Sequence, residues 1–223
     1  MNASTGEARR PGSPDRTLIV ACGALAHEIV ALIRGHGWDN FVVQCLPADL
    51  HNTPGEIPGA VRDKIRRMRA DYDHVFVAYA DCGTGGQLDR VLEEEGVERL
   101  PGAHCYEFFA GTGAFHALAE EEVGTFYLTD FLARHFDRLV IHGMGLDRHP
   151  ELLPMMFGHY RRLVYLAQTE NPDLETRARA AAERLGLEYE YRFTGYGELG
   201  ETLAGLHDNG PADEKVVQWR RRS

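Results

Sequence analysis

The sequence predicts an α/β fold, with a Rossmann-like parallel sheet or sheets and helices on both faces. Three observations carry this expectation. Short apolar runs rich in β-branched and aromatic residues alternate with stretches whose apolar residues recur at helical spacing. Gly or Pro punctuates most of the junctions between them. The chain of 223 residues, 43% hydrophobic and 26% charged, has the length and balance of one globular domain or of two small lobes.

The elements follow in order. Residues 1–16 (MNASTGEARRPGSPDR) lack the apolar core of an export signal and read as a disordered leader. Thr17–Cys22 (TLIVAC) is a buried strand closed by Gly23, and Leu25, Ile29, Leu32 and Ile33 then fall at helical spacing. Phe41–Leu46 (FVVQCL) is the second strand, followed by a loop rich in Pro, Asn and His and by an amphipathic helix over 57–69. A third strand over 74–80 (HVFVAYA) enters the turn Asp81-Cys82-Gly83-Thr84-Gly85-Gly86. A helix over 88–95 and a short strand over 103–106 come next, and the stretch 123–160 reads as mainly helical. Arg162–Ala167 returns to strand, Pro172–Leu185 to helix and Glu188–Phe193 to strand, and a last helix begins near Tyr196. Strand-then-helix order implies parallel pairing. The ordered region is 17–206, read as a single domain or as two pseudo-symmetric lobes near 17–122 and 123–206. Residues 207–223 read as a flexible tail.

Charge and composition narrow the function. With 24 Lys+Arg against 34 Asp+Glu, the formal charge is −10, which argues against nucleic acid or an anionic membrane as the main partner. No apolar run approaches the roughly 20 residues of a membrane span. The expected location is cytoplasmic, where thiols stay reduced. The four cysteines then stand as packed core, nucleophile or metal ligand.

In an open α/β sheet, ligands bind at the carboxyl ends of the strands. Cys22, Cys82 and Cys105 all map to that edge, each beside a turn or helix start that favours thiolate. Three converging thiolates suit a soft metal: zinc first, an iron–sulfur cluster second. A catalytic zinc with three protein ligands keeps one position open for substrate. Any one of these cysteines could equally pack as a small hydrophobe, but three at one edge favour function. Cys45, inside a strand, is expected in the core.

Other candidates cluster around them. His51 and Glu28 are expected as a fourth ligand or as proton-transfer groups. Asp81 and Glu107, each near a cysteine in sequence, could orient the site or act as general base. Gly83, Thr84, Gly85 and Gly86 could let backbone N–H groups bind a phosphate or carboxylate, although no Walker lysine follows and a tight strand-to-helix turn explains the glycines as well. Asp147, Arg148 and His149 form either a polar ligand-binding cluster or a proline-marked helix boundary. His36, His74, His116 and His135 read as surface or satisfied residues.

Several motifs together resemble the "domain of unknown function 1638" family of bacteria and archaea. They are Ala21-Cys22-Gly23-Ala24-Leu25 with Glu28, Leu50-His51-Asn52-x-Pro54, Asp81-Cys82-Gly83-Thr84 and His104-Cys105-Tyr106-Glu107. Phe126-Tyr127-Leu128-Thr129, the run from Gly145 to Leu152, Phe157-Gly158-x-Tyr160 and the run from Tyr165 to Thr169 extend the resemblance over about 17–206. The family pattern includes counterparts of Cys22, Cys82 and Cys105 but not of Cys45. The resemblance implies a genomic setting beside corrinoid proteins and methyltransferases, hence one-carbon or methylated-amine metabolism.

Three functions are thereby expected, in order. The first is a zinc-thiolate enzyme acting on a small molecule, with methyl transfer as its chemistry, zinc lowering the pKa of a thiol, amine or water. The second is a non-enzymatic accessory that binds a metal, a corrinoid or a methyl-carrier component, the corrinoid being borne by a partner protein. The third is a metal-free thiol enzyme with Cys82 as nucleophile.

Overall fold

A computed structural model describes residues 15–209. The expected leader lies outside them apart from Asp15 and Arg16, as does the expected tail beyond Asn209; residues 207–209, expected in that tail, instead end the last helix, where His207 Nδ1 lies 2.7 Å from Asn40 Oδ1. Strand β1 (Thr17–Cys22) passes through a 3-10 turn (Gly23–Leu25) into helix α1 (Ala26–His36). Strand β2 (Phe41–Leu46) is followed by two 3-10 turns (Ala48–Asn52 and Pro54–Glu56) and helix α2 (Ile57–Met68). Strand β3 (His74–Ala78), helix α3 (Gln87–Glu95) and the short β4 (Glu98–Arg99) complete the first sheet. Helices α4 (Cys105–Ala110) and α5 (Thr112–Glu121) lead to β5 (Thr125–Thr129), α6 (Asp130–Phe136) and a π-helical segment (Asp137–His142). Helix α7 (Leu152–Phe157), β6 (Arg162–Ala167), α8 (Pro172–Leu185), β7 (Glu188–Phe193) and α9 (Glu198–Asn209) follow.

The α/β expectation is met by two parallel sheets, ordered β2-β1-β3-β4 and β5-β6-β7. In the first, the chain steps from β1 outward to β2, then back across to β3 and on to β4. Right-handed crossovers put helices that step in opposite directions on opposite faces. Helix α1 therefore covers one face, while α2 and α3, packed on each other, cover the other. In the second sheet both crossovers step the same way, so α6 and α8 pack together on one face. Helix α5 covers the other, with Phe115 against Tyr127 (ring centroids 5.0 Å apart) and Arg162 donating to the Leu118 carbonyl at 2.9 Å.

Central strands read as unbroken apolar runs because both their faces are buried. Every residue of β1 is buried, and Leu163 to Ala167 of β6 are fully so. Each sheet has its own apolar core. The C-terminal helix returns to the first of these: Leu199, Leu203 and Leu206 of α9 pack there, and Gly200 faces Leu32 of α1.

Two elements depart from the sequence expectation. Residues 103–106 form no strand. Pro101 and Gly102 (φ +90°) break the extended run, and the Glu107 carboxylate accepts the Ala103 N–H at 3.0 Å, starting α4 at Cys105. A first-turn carboxylate suits a helix N-terminus. The stretch 123–160 is not mainly helical, since TFYLT forms β5 and pairs with β6 in register Thr125↔Arg162 to Thr129↔Leu166. Among the described residues no helix is long and apolar enough to cross a membrane.

The return of α9 has a measurable consequence. Leu203→Ala should destabilise the protein by about 3 kcal/mol, the usual cost of emptying a fully buried leucine site. Urea unfolding measures this, and a loss under about 1 kcal/mol would remove α9 from the core.

Candidate functional site

The chain leaves β1 toward one side and β3 toward the other, so the crevice above their carboxyl ends is the topological switch point of the first sheet. Cys22 is the last residue of β1, and Cys82 lies in the loop after β3. Two backbone bonds join that loop to the segment before α4: Asp81 N–H to the Gly102 carbonyl (3.1 Å) and Cys82 N–H to the Ala103 carbonyl (2.8 Å). They bring Cys105, first residue of α4, alongside. Cys105 is thus held at a helix start, not in a strand. The three thiols are near enough that each charge would act on the others.

Cys82 is held at φ +52°, the one non-glycine left-handed residue among those described. A β-carbon in this conformation costs roughly 1–2 kcal/mol, and such strain tends to gather at functional positions. Cys45, expected in the core, is exposed on the edge strand β2, paired with Ala21 next to Cys22, on which its charge would also act.

Burial reverses the expectation that these thiols are acidic. It pushes Cys22 up to about 12, opposed by the Ala24 N–H donating to its sulfur at 3.3 Å. It pushes Cys82 up to about 11 and Cys105 well above the ordinary thiol range, the latter with added repulsion from Cys82 and Cys22. Desolvation outweighs the helix-start dipole and N–H groups. As they stand, the thiols are neutral at physiological pH.

His51 meets Cys22 from the loop after β2, its Nδ1 3.9 Å from the sulfur and 3.0 Å from the Ala48 carbonyl. A carbonyl only accepts, so in the neutral ring Nδ1 carries the proton and Nε2 keeps the lone pair. Desolvation holds His51 below the usual histidine range, the Ala48 bond opposing and His104 adding to the effect. Its ring lies nearly parallel to that of Tyr79, centroids 6.3 Å apart. Tyr79 is fully buried, and its hydroxyl meets the Cys22 sulfur, an interaction that holds the tyrosine above and the thiol below where burial alone would put them.

Glu28, 3% exposed in the first turn of α1, has one carboxylate oxygen, Oε2, with no partner. Burial raises its pKa, and its surroundings include Asp130 and Arg134 from the second sheet's α6. Glu28 in turn acts on Cys105. A buried, incompletely satisfied carboxyl is costly and calls for a reason.

The remaining expected residues are engaged differently. Asp81 accepts from Thr84 Oγ1 (2.6 Å), Gly86 N (2.9 Å) and Gly85 N (3.1 Å). Burial raises its pKa, but these bonds and the Arg99 charge outweigh that and leave it below the ordinary carboxylate range. The turn Gly83-Thr84-Gly85-Gly86 therefore has its anion already, supplied by Asp81, and the N–H groups of Gly85 and Gly86 expected to hold a ligand are spent. Glu107 caps the start of α4 and lies 3.6 Å from His116. Asp147 pairs with His142 (2.8 Å) and His149 with Glu151 (3.2 Å). Their loop does reach the site's rim, since a Cβ on Gly143 would stand 3.1 Å from Asn52 Nδ2, beside His51. Gly145 in turn faces Arg148 and His149.

Among the described residues, no three His, Cys, Asp or Glu side chains are grouped closely enough to hold a metal ion as they stand. The family model for proteins of unknown function DUF1638 matches residues 45–203. The chain belongs to the DUF1638 family. The matched region includes His51, Cys82, Cys105 and Asp147, while Cys22 and Glu28 lie before it. None of the curated proteins compared with the chain matches it.

Sequence reasoning had overlooked Tyr79, Asn52, His104 and Asp130 as neighbours of the site. His104 and Asn52 had a signal, each adjoining a motif residue. Tyr79 and Asp130 had none, because only the chain's path brings them to the edge.

Two outcomes follow. Cys82→Gly should be about 1 kcal/mol more stable than Cys82→Ala, since both lose the thiol and only glycine relieves the left-handed backbone; equal urea midpoints would deny the strain. Glu28 titrates above its unfolded value, so its stabilising protonation is complete below about pH 4 and is lost as pH rises through the folded value. Glu28→Gln, permanently neutral, should melt higher than wild type at about pH 8 and no higher near pH 4.

Proposed function

We propose that the protein is a metal-thiolate enzyme acting on a small molecule, with Cys22, Cys82 and Cys105 as ligands and zinc as the metal. The observation that carries this reading is the convergence of three electrostatically interacting thiols at the switch point, one of them on the left-handed backbone of Cys82. Neutral thiols bury cheaply, and a divalent cation would release their protons and cancel the repulsion among them. Since the three do not form a ready cluster, uptake must draw the loop after β3 and the start of α4 together. When bound, zinc supplies a Lewis acid that lowers the pKa of a thiol, amine or water.

The chain's own residues supply the rest. His51, with Nε2 unprotonated, is placed either to complete the ligand set or to take a proton from substrate. Glu28, with its free oxygen and raised pKa, is placed to give one or to accept a hydrogen bond. Tyr79 offers a buried hydroxyl beside the Cys22 sulfur. Asp81 and Glu107 hold the Cys82 and Cys105 backbones in place and so act as positioning residues.

The reaction class we assign is methyl transfer in corrinoid-linked one-carbon or methylated-amine metabolism, in the cytoplasm, with a corrinoid protein or methyltransferase as partner. Its support is the family resemblance together with the match of a thiol-rich site to methyl acceptors.

Element analysis of protein purified without a metal-binding tag, after anaerobic zinc reconstitution, tests the site. About one zinc per chain is expected. Cys22→Ser, Cys82→Ser and Cys105→Ser should each lose it, and Cys45→Ser should keep it. Full retention by the three single variants, or no uptake by wild type, would end this reading. Zinc bound without turnover in methyl-transfer assays would favour the accessory role instead.

A further inference from the structure

Away from the cysteines, helices α6 and α8 form a half-open surface groove of about 320 Å³ whose lining includes Arg134, His135, Asp137, Arg138, Arg177 and Arg184. None of the three thiols lines it. Its volume matches the lower end of small-ligand clefts, about 300–1,000 Å³. Four of its ten lining residues are arginines, on a chain whose formal charge is −10.

Arg177 and Arg184, seven apart on α8, share one helix face. Arg134 and Arg138 flank the kink at His135, one on α6 and the other on its π-helical continuation, and α6 packs on α8. Alanines 133, 180 and 181 leave the floor shallow. The only carboxylate in the lining is Asp137, which pairs with Arg184 at 2.5 Å. Some arginines in the fold are neutralised closely: Arg99 by Asp89, Arg162 by Glu121 and Glu190, Arg66 and Arg69 by Glu95. Among the described residues Arg34, Arg67, Arg90, Arg148 and Arg161 form no such pair, and neither do the groove's Arg134, Arg138 and Arg177. The charge of these last three acts on His135, whose backbone (φ −117°, ψ 18°) kinks the helix at the groove. Irregular helical turns of this kind recur at functional positions.

We propose that this groove binds a small polyanion carrying two or more phosphoryl groups. Guanidinium forks match phosphate oxygens in pairs. Arginines gathered in one groove repel one another, and a bound polyanion would relieve that repulsion. The ligand's small size follows from the groove's volume and from the strongly negative remainder of the protein, which repels a polyanionic polymer. None of the proposed metal ligands lines the groove; Arg134, whose charge also reaches Glu28, links it to that site, and the test variants leave Arg134 in place.

Calorimetric titration of the full chain with inorganic pyrophosphate tests it, beside Arg138→Gln/Arg177→Gln and the control Arg67→Gln. Arg138 and Arg177 are exposed, so the double variant should keep its fold, checked by circular dichroism. Wild type should bind pyrophosphate at sub-millimolar concentration, the double variant at least about tenfold more weakly, and Arg67→Gln, exposed on α2, as wild type does. Absence of binding by wild type, unchanged affinity in the folded double variant, or equal loss in the control would overturn the proposal. Tighter binding of a single-stranded oligonucleotide than of pyrophosphate would overturn the assignment to a small ligand.

Discussion

Strand β1 is the constraint on which the site depends. It is buried along its whole length and paired in parallel on both edges, Thr17↔Phe41 to Cys22↔Leu46 on one side and Thr17↔His74 to Ala21↔Ala78 on the other. That double register sets the carboxyl ends of β1, β2 and β3 level, so the loops that follow open onto one crevice. A slip of one residue would exchange the faces of every side chain in the strand, and burial on both faces forbids it. Gly23 extends the constraint one residue further. A Cβ there would stand 2.9 Å from the Leu46 carbonyl, so only glycine lets the turn after Cys22 lie against the end of β2. The neighbouring loop then carries His51 to the sulfur.

Two buried acids show how the same fold uses carboxylates differently. Asp130, at the carboxyl end of β5, accepts from Tyr165 Oη (2.7 Å), the N–H groups of Gln168 and Thr169 (3.0 Å each) and Thr169 Oγ1 (2.5 Å). Every part of its negative charge is matched, and it ties β5 to the end of β6. Glu28 occupies the corresponding place after β1, yet one of its oxygens has no partner. A satisfied buried acid locks structure. An unsatisfied one is a standing cost, tolerated where something else is to be bound or protonated.

The strands with two buried faces were legible from sequence because burial writes itself as an apolar run. Thr17–Cys22 and Arg162–Ala167 were bounded correctly for that reason, the half-exposed edge strand Phe41–Leu46 by its β-branched run and the proline after it, and Pro172–Leu185 because Asn171, Pro172 and Gly186 mark its ends. The edge was harder. Residues 103–106 look extended locally, but the Glu107 carboxylate and the bend at Gly102 decide for helix, and β5 is short enough to be lost among helices. The thiol edge was readable by counting strands to their carboxyl ends. Its electrostatics were not, since dipoles are local while desolvation depends on everything packed above. The turn 81–86 read equally well as an anion site or as a tight strand-to-helix turn, and the fold combines the two: its glycines make an anion-binding nest, and the neighbouring Asp81 fills it.

Raised thiol pKa values and a metal-binding role are consistent with each other. A thiolate buried without a counterion would bear the full desolvation penalty, and three together would add mutual repulsion. Protonation removes both terms, so the empty edge folds as an ordinary apolar layer and its cysteines stay poor nucleophiles. That same protonation weighs against Cys82 acting alone as a nucleophile, because no base in contact with it lowers its pKa into the working range. A cation changes the balance: it stabilises all three thiolates at once, and the protons leave to solvent. The strain at Cys82 fits the same logic. Apolar packing alone gives little reason to keep a β-carbon on a left-handed backbone that glycine would adopt without strain.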